Sequence, residues 1–238
     1  MLTKKRILFI ANEMSPYLEL TEFAEVVNKL AVLSNDNNLE VRCIMPRFGT
    51  INERRHRLHE VVRLSGINVT IDNDDYPLII KVASLPNARL QVYFLDNEDL
   101  FKRKSIFTDE QDKWFDDNGL RTVLFCKGAL ETVKKFGWPP DIIHCSGWMT
   151  GLIPMFIKSA YKREPVFSQM PMATERTWGM DSVSSVSPLG RISLRMLRCV
   201  SFISTRSRRF RQRLPESGES LCKQWSCPNA PAPEENQA

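Results

Sequence analysis

Residues 6–45, RILFIANEMSPYLELTEFAEVVNKLAVLSNDNNLEVRCIM, decide the fold class. Arg6–Ala11 is a continuous apolar run bounded by polar residues, the pattern of a strand buried on both faces. Asn12–Tyr17, with Pro16, reads as a loop. The spacing of Leu20, Phe23, Val26, Val27, Leu30 and Leu33 predicts an amphipathic helix from Glu19 to Leu33. Asn35–Asn38 end it, and Leu39–Met45 is a second apolar strand. Strand, helix and strand in so short a stretch form a βαβ unit, whose strands pair in parallel.

Outward from this unit the pattern changes and then returns. Ile67–Ile71, Leu78–Ala83 and Leu90–Leu95 are three short strand-like runs, separated by Asp72–Tyr76 and Pro86–Ala88. They extend the sheet as a hairpin or edge meander. Leu120–Phe136 has helical spacing, with Val123, Leu124, Ala129, Leu130 and Val133 as its expected buried face, and Trp138-Pro139-Pro140 stops it. Asp141–Cys145 is a further buried strand, and a helix is expected over Gly147–Tyr161. The fold class is α/β, a doubly wound, Rossmann-like parallel sheet.

The net charge of +5 over 238 residues is unevenly placed. From Ser168 onward there are nine Arg and one Lys against six acids, a net +4, which leaves +1 for residues 1–167. Ser168–Ser187 shows no sustained period, Arg206–Arg213 is a basic run, and Pro215–Ala238 is rich in Pro, Glu, Ser and Asn. The expected organisation is an α/β domain over residues 1–167 and a largely irregular, Arg- and Ser-rich tail over 168–238. The abrupt change suits a disordered ending or one read from a shifted frame. No apolar run approaches the roughly 20 residues of a membrane-spanning helix. Ile7–Ala11 is too short for a signal-peptide core, so a cytoplasmic location is expected. Cys43, Cys126 and Cys145 lie in apolar surroundings and read as core residues. Cys222 and Cys227 have no nearby His, and neither metal nor cofactor is expected.

Open parallel sheets bind ligands at the carboxyl ends of their strands, where strand order reverses. Two segments qualify. In Asn12–Glu22 there is no glycine, and Glu13, Glu19 and Glu22 would repel phosphate, so neither a dinucleotide fingerprint nor a phosphate loop is present. These carboxylates can accept sugar hydroxyls, or they can be the acids that compensate a helix dipole. In His144–Trp148, Gly147 permits an unusual turn or close ligand approach. His144 can donate a hydrogen bond or move a proton, or it can be a structural histidine under a Trp-packed helix start. His56 and His59 read as surface residues.

Together these motifs resemble those of the bacterial glycogen synthase and starch synthase family, retaining glycosyltransferases that use ADP-glucose. RILFIANEMSPY (Arg6–Tyr17) is similar to the family's K-I-L-F-V-A-S-E-x-x-P-F, and MPRFG (Met45–Gly49) to M-P-x-Y-G. VYFLDNEDLFKR (Val92–Arg103) resembles Y-F-[IL]-D-N-x-x-x-F-x-R. DNGLRTVLFCKGALE (Asp117–Glu131) resembles D-N-x-x-R-F-x-x-F-x-x-A-A-L-E, and PDIIHCSGWMTGLIP (Pro140–Pro154) resembles P-D-V-[IV]-H-x-H-D-W-x-x-x-L-x-P. The family's K-T-G-G-L loop, which contacts the sugar nucleotide, falls on Glu19-Leu20-Thr21-Glu22-Phe23. Its lysine is thus replaced by Glu19 and its glycines by Thr21 and Glu22. In H-x-H-D-W, His144 and Trp148 are kept, while Ser146 replaces the second histidine and Gly147 the aspartate.

The resemblance implies the N-terminal half of a GT-B fold and transfer of glucose from ADP-glucose to an α-1,4-glucan. Such transfer relies on preorganised charge around a departing diphosphate and an oxocarbenium-like sugar. It names Glu19, Thr21, Glu22, His144, Ser146 and Trp148 as the substrate-binding positions, with no catalytic residue assigned. In this family a second domain holds most nucleotide contacts, and nothing after Phe167 resembles it, so the chain alone is expected to be inactive. The alternative is a non-catalytic α/β module binding glucan through Trp148 and Tyr17. Nucleic-acid binding through Arg206–Arg213 is disfavoured, because Phe210 is the only aromatic interleaved in the basic run and no recognition motif accompanies it.

Overall fold

A computed structural model describes residues 4–86, 88–167 and 172–174. The tail expectations for Arg206–Arg213, Cys222 and Cys227 lie outside these residues. Strand β1 (Arg6–Ala11) is central, as its apolar run requires, and Leu8 to Ala11 are buried. Helix α1 spans Phe23–Asp36, and β2 spans Glu40–Pro46 in parallel register with β1, Ile7 opposite Val41. A short helix α2 (Glu53–His56) and β3 (His59–Glu60) lead into β4 (Ile67–Ile71), β5 (Asp74–Ser84) and β6 (Gln91–Asp96). Helix α3 spans Asn118–Phe136, β7 Ile142–Ser146, α4 Ile153–Lys158 and β8 Met172–Thr174.

The sheet runs β3-β5-β6-β2-β1-β7-β8, with β4 also paired to β5. Strands β6, β2, β1, β7 and β8 are mutually parallel, and β3, β4 and β5 form an antiparallel edge. The expected hairpin is thus present, and it makes the doubly wound sheet mixed rather than purely parallel. From β1 the chain goes one way to β2, and after β6 it returns through α3 to the other side of β1. Strand order therefore reverses between β1 and β7, and sheets of this kind bind ligands in a crevice at the carboxyl ends of the strands where the order reverses.

Four expectations need correction. Helix α1 starts at Phe23 rather than Glu19, and its buried face is Ala24, Val27 and Ala31, with Leu20 and Leu33 exposed. Small side chains let this helix lie close to the sheet, so its larger apolar residues are pushed to the flanks. Helix α3 is buried on nearly all sides, including Thr122, Phe125, Gly128 and Thr132, while Val123 is only half-buried. The helix expected over Gly147–Tyr161 is broken into a 3-10 turn at Trp148–Thr150 and the short α4. Finally, β8 pairs beside β7 with Ile143 opposite Met172, although the sequence after Ser168 has no strand-like period. No helix among the described residues is long and apolar enough to cross a membrane.

Candidate functional site

Ala11 pairs with Ser146 across the ends of β1 and β7, so the two segments that follow meet. The first, residues 12–22, contains a cis Ser15–Pro16 bond and is organised by Glu13. The Glu13 carboxylate is buried and accepts the backbone N–H of Leu20 at 2.7 Å and of Thr21 at 2.8 Å, and the Thr21 hydroxyl at 2.7 Å. These bonds bind the chain just before α1 into a loop, which is why the helix begins late. Thr21 Oγ1 in turn accepts the N–H of Phe23 at 3.2 Å. Glu19 is exposed and accepts the Ser15 hydroxyl at 2.6 Å. Glu22 is exposed at the N-cap of α1 and makes no side-chain cap bond. A carboxylate there stabilises the helix dipole.

The second segment turns at Gly147, which has φ +91° and ψ 156°. The Asn12 side chain, 3% exposed, lies directly over it, and a Cβ at 147 would fall on the Asn12 carboxamide oxygen. Only glycine accommodates both the backbone angle and this neighbour. The Gly147 carbonyl then accepts the Thr150 hydroxyl at 2.7 Å and its N–H at 3.1 Å, closing the 3-10 turn. Ser146 is buried beneath this turn. His144 is half-buried on β7 with its ring 5.0 Å from that of Phe9. Trp148 is half-buried against Phe107 and Trp114.

The structure therefore ties Thr21 to Glu13, leaves Glu19 exposed on the same loop with its bond to Ser15, and sets His144, Ser146 and Trp148 on the adjoining strand end and turn. Tyr17, expected as a sugar platform, is instead buried between Phe94 and His56, each ring 5.0 Å away. Burial, with a smaller contribution from Cys43, pushes its hydroxyl up to about 12. His56 is correspondingly half-buried rather than a surface residue, and burial followed by the charge of Arg55 lowers its pKa. Burial alone pushes the Cys43 thiol to about 12, and burial leads the rise of the Cys126 thiol to about 12 as well. Both behave as core residues rather than nucleophiles, and Cys145 is raised by burial also. Among the described residues no group of three or more His, Cys, Asp or Glu is placed to hold a metal ion.

Beside the crevice, at the ends of β2 and β6, Arg47 and Lys81 face Glu53 and Asp96. Lys81 lies 2.8 Å from Glu53 and 2.7 Å from Asp96, and Arg47 pairs with Glu53. On α3, fully buried Arg121 donates to the carbonyls of Leu100 (2.7 Å) and Ile106 (2.6 Å) and to Asn118 Oδ1 (2.6 Å). Burial drives its pKa down to about 10. Sequence reasoning missed Asn12 and Trp114. The one available signal was a lone Trp in the charged run TDEQDKWFDDN, residues 108–118.

A family model described as the starch synthase catalytic domain matches residues 6–175. The glycogen synthase of Chlorobium limicola is 37% identical over 166 residues, which are 69% of this chain and 34% of that protein. The glycogen synthase of Chlorobium luteolum is 37% identical over 163 residues, 68% of this chain and 33% of its own. In fold, the chain is similar to the catalytic domain of starch synthase IV from Arabidopsis thaliana, bound to ADP and acarbose. The TM-score is 0.62 at 21% identity, covering 72% of this chain and 34% of that one. The chain spans about a third of the length of the curated relatives it matches. With its strand order and the motifs at the ends of β1 and β7, the chain belongs to the starch synthase catalytic domain family.

Proposed function

We propose that this chain is the sugar-handling half of a glucosyltransferase that moves glucose from ADP-glucose to an α-1,4-glucan. The observation that carries this reading is the meeting of loop 12–22 with the Gly147 turn at the β1–β7 reversal, in a chain of this family. Residues Glu19, Glu22, His144 and Trp148 are the candidate sugar contacts, with Ser146 buried beneath the turn and Thr21 held by Glu13 as parts of the frame. A cytoplasmic location goes with this reading. Neither loop carries a Lys or Arg, so the crevice offers the donor diphosphate little charge stabilisation. The chain alone therefore binds sugar but does not transfer it.

Two measurements on the purified chain test this. Glycogen in a native gel should retard its migration, and saturation-transfer NMR should mark the glucose ring of ADP-glucose more strongly than the adenine. Labelled ADP-glucose and glycogen should give no incorporation. A non-catalytic glucan-binding module would instead show retardation with no saturation of ADP-glucose. Unretarded migration together with an unsaturated donor would overturn both readings, and robust incorporation would overturn the claim that the chain alone is inactive.

A further inference from the structure

The segment between Phe107 and Phe115 folds as a small hairpin with an aromatic surface that meets the strand-end turn at Trp148. Asp109 N–H donates to the Lys113 carbonyl at 2.8 Å, and Phe115 N–H to the Phe107 carbonyl at 3.0 Å. Asp109 Oδ1 accepts the N–H groups of Gln111 and Lys113 at 2.9 Å each, which ties the tip. At the base, the guanidinium of Arg103 grips both oxygens of Asp117. Asn118 Nδ2 donates to the Phe107 carbonyl at 2.8 Å, and Arg121 holds the Ile106 carbonyl. The hairpin is thus a braced arm.

What the arm presents is Trp114. Its ring lies parallel to Phe107, 8° apart with centroids at 6.0 Å. Trp148 is tilted against both, 5.0 Å from Phe107 and 5.6 Å from Trp114. Two rings in contact with each other support the indole, yet Trp114 remains 45% exposed. Leaving so much apolar area in water is unfavourable, and the braced hairpin holds this indole face open instead of folding it into the core. The surrounding chain is acidic: residues 108–117 hold Asp109, Glu110, Asp112, Asp116 and Asp117 against Lys113 alone. That charge repels phosphate and nucleic acid. A neutral pyranose fits, because its C–H face packs on an indole while its hydroxyls donate to carboxylates. Trp148 joins this surface to the Gly147 turn, so one chain of sugars can run from the arm to the crevice.

We propose that Trp114, propped by Phe107 and Trp148, is a glucan-stacking subsite that holds a neutral α-glucan chain outside the strand-end crevice. This rests on the glucan-handling reading above. The test titrates the full chain with maltoheptaose, following tryptophan fluorescence and mobility in glycogen gels, for wild type, Trp114→Ala, Trp114→Phe and Lys113→Ala. Trp114→Ala should weaken maltoheptaose binding about tenfold, Trp114→Phe less, and Lys113→Ala not at all. Melting temperatures of the Trp114→Phe and Lys113→Ala variants should match wild type, so that loss of binding is not loss of folding. Wild-type retardation with unchanged affinity in both Trp114 variants would overturn the subsite and leave the glucan reading standing. No retardation of the wild type would overturn both.

Discussion

The loop after β1 and the hairpin before α3 are both irregular, yet they use their polar groups in opposite ways. In the loop, the carboxylate of Glu13 and the amide of Asn12 are turned inward, so they set the path of the chain. In the hairpin, the acids at Glu110, Asp112 and Asp116 face water, while Asp109 ties the tip and Arg103, Asn118 and Arg121 tie the base. A loop built the first way acts by shape. An arm built the second way acts through what it displays.

The strongest way to break this contrast is at Gly147. Gly147→Asp should destabilise the fold by about 3–5 kcal/mol in urea unfolding, since the new side chain meets Asn12 and the backbone angle is wrong for it. Asn12→Ser with Gly147→Asp should recover the steric part but not the backbone part, and the double-mutant cycle measures the coupling. If the two changes simply add, Asn12 is not the obstacle. Next comes Arg121→Met, which strips the buried Leu100 carbonyl, the half-buried Ile106 carbonyl and the Asn118 oxygen of their donor. A loss of about 3 kcal/mol is expected, with faster hydrogen exchange in the hairpin and unchanged exchange in loop 12–22.

Glu13→Gln tests the opposite side. One acceptor oxygen replaces two, so about 1–2 kcal/mol should be lost and the amides of Leu20 and Thr21 should exchange faster. The smallest effect concerns pH at the cluster beside the crevice. Burial pushes the Glu53 carboxyl up, but bonds from Lys81 and Arg47 outweigh it and hold the carboxyl below its ordinary 4.5. A lowered folded pKa means a stabilising contribution present above pH 4.5 and lost as pH falls through the folded value. The melting temperature of Glu53→Gln should therefore decline less steeply on acidification than that of wild type.

Legibility in the sequence followed locality. Arg6–Ala11 was readable to the residue, because a strand buried on both faces leaves a continuous apolar run. The start of α1 was not, because Leu20 and Thr21 give their N–H groups to Glu13, a partner several positions away whose identity alone reveals no such bond. Periodicity likewise favoured Leu20 and Leu33 over the alanines that the close helix–sheet contact selects. The helix expected after Gly147 failed because the Thr150 hydroxyl and the glycine conformation impose a 3-10 turn. Within the candidate site, the strand ends were legible and the burial of Tyr17 and exposure of Trp114 were not. Both depend on which rings meet across the fold.

Glu13 has a consequence for how this loop can change. It holds Leu20 and Thr21 by their main-chain N–H groups, which every amino acid except proline supplies. The path is thus stored in one side chain, and the residues that trace it are largely free to be exchanged. A library varied at positions 19, 20 and 22 would sample new surface chemistry on an unchanged scaffold, with Glu13 and Thr21 as the two letters to keep.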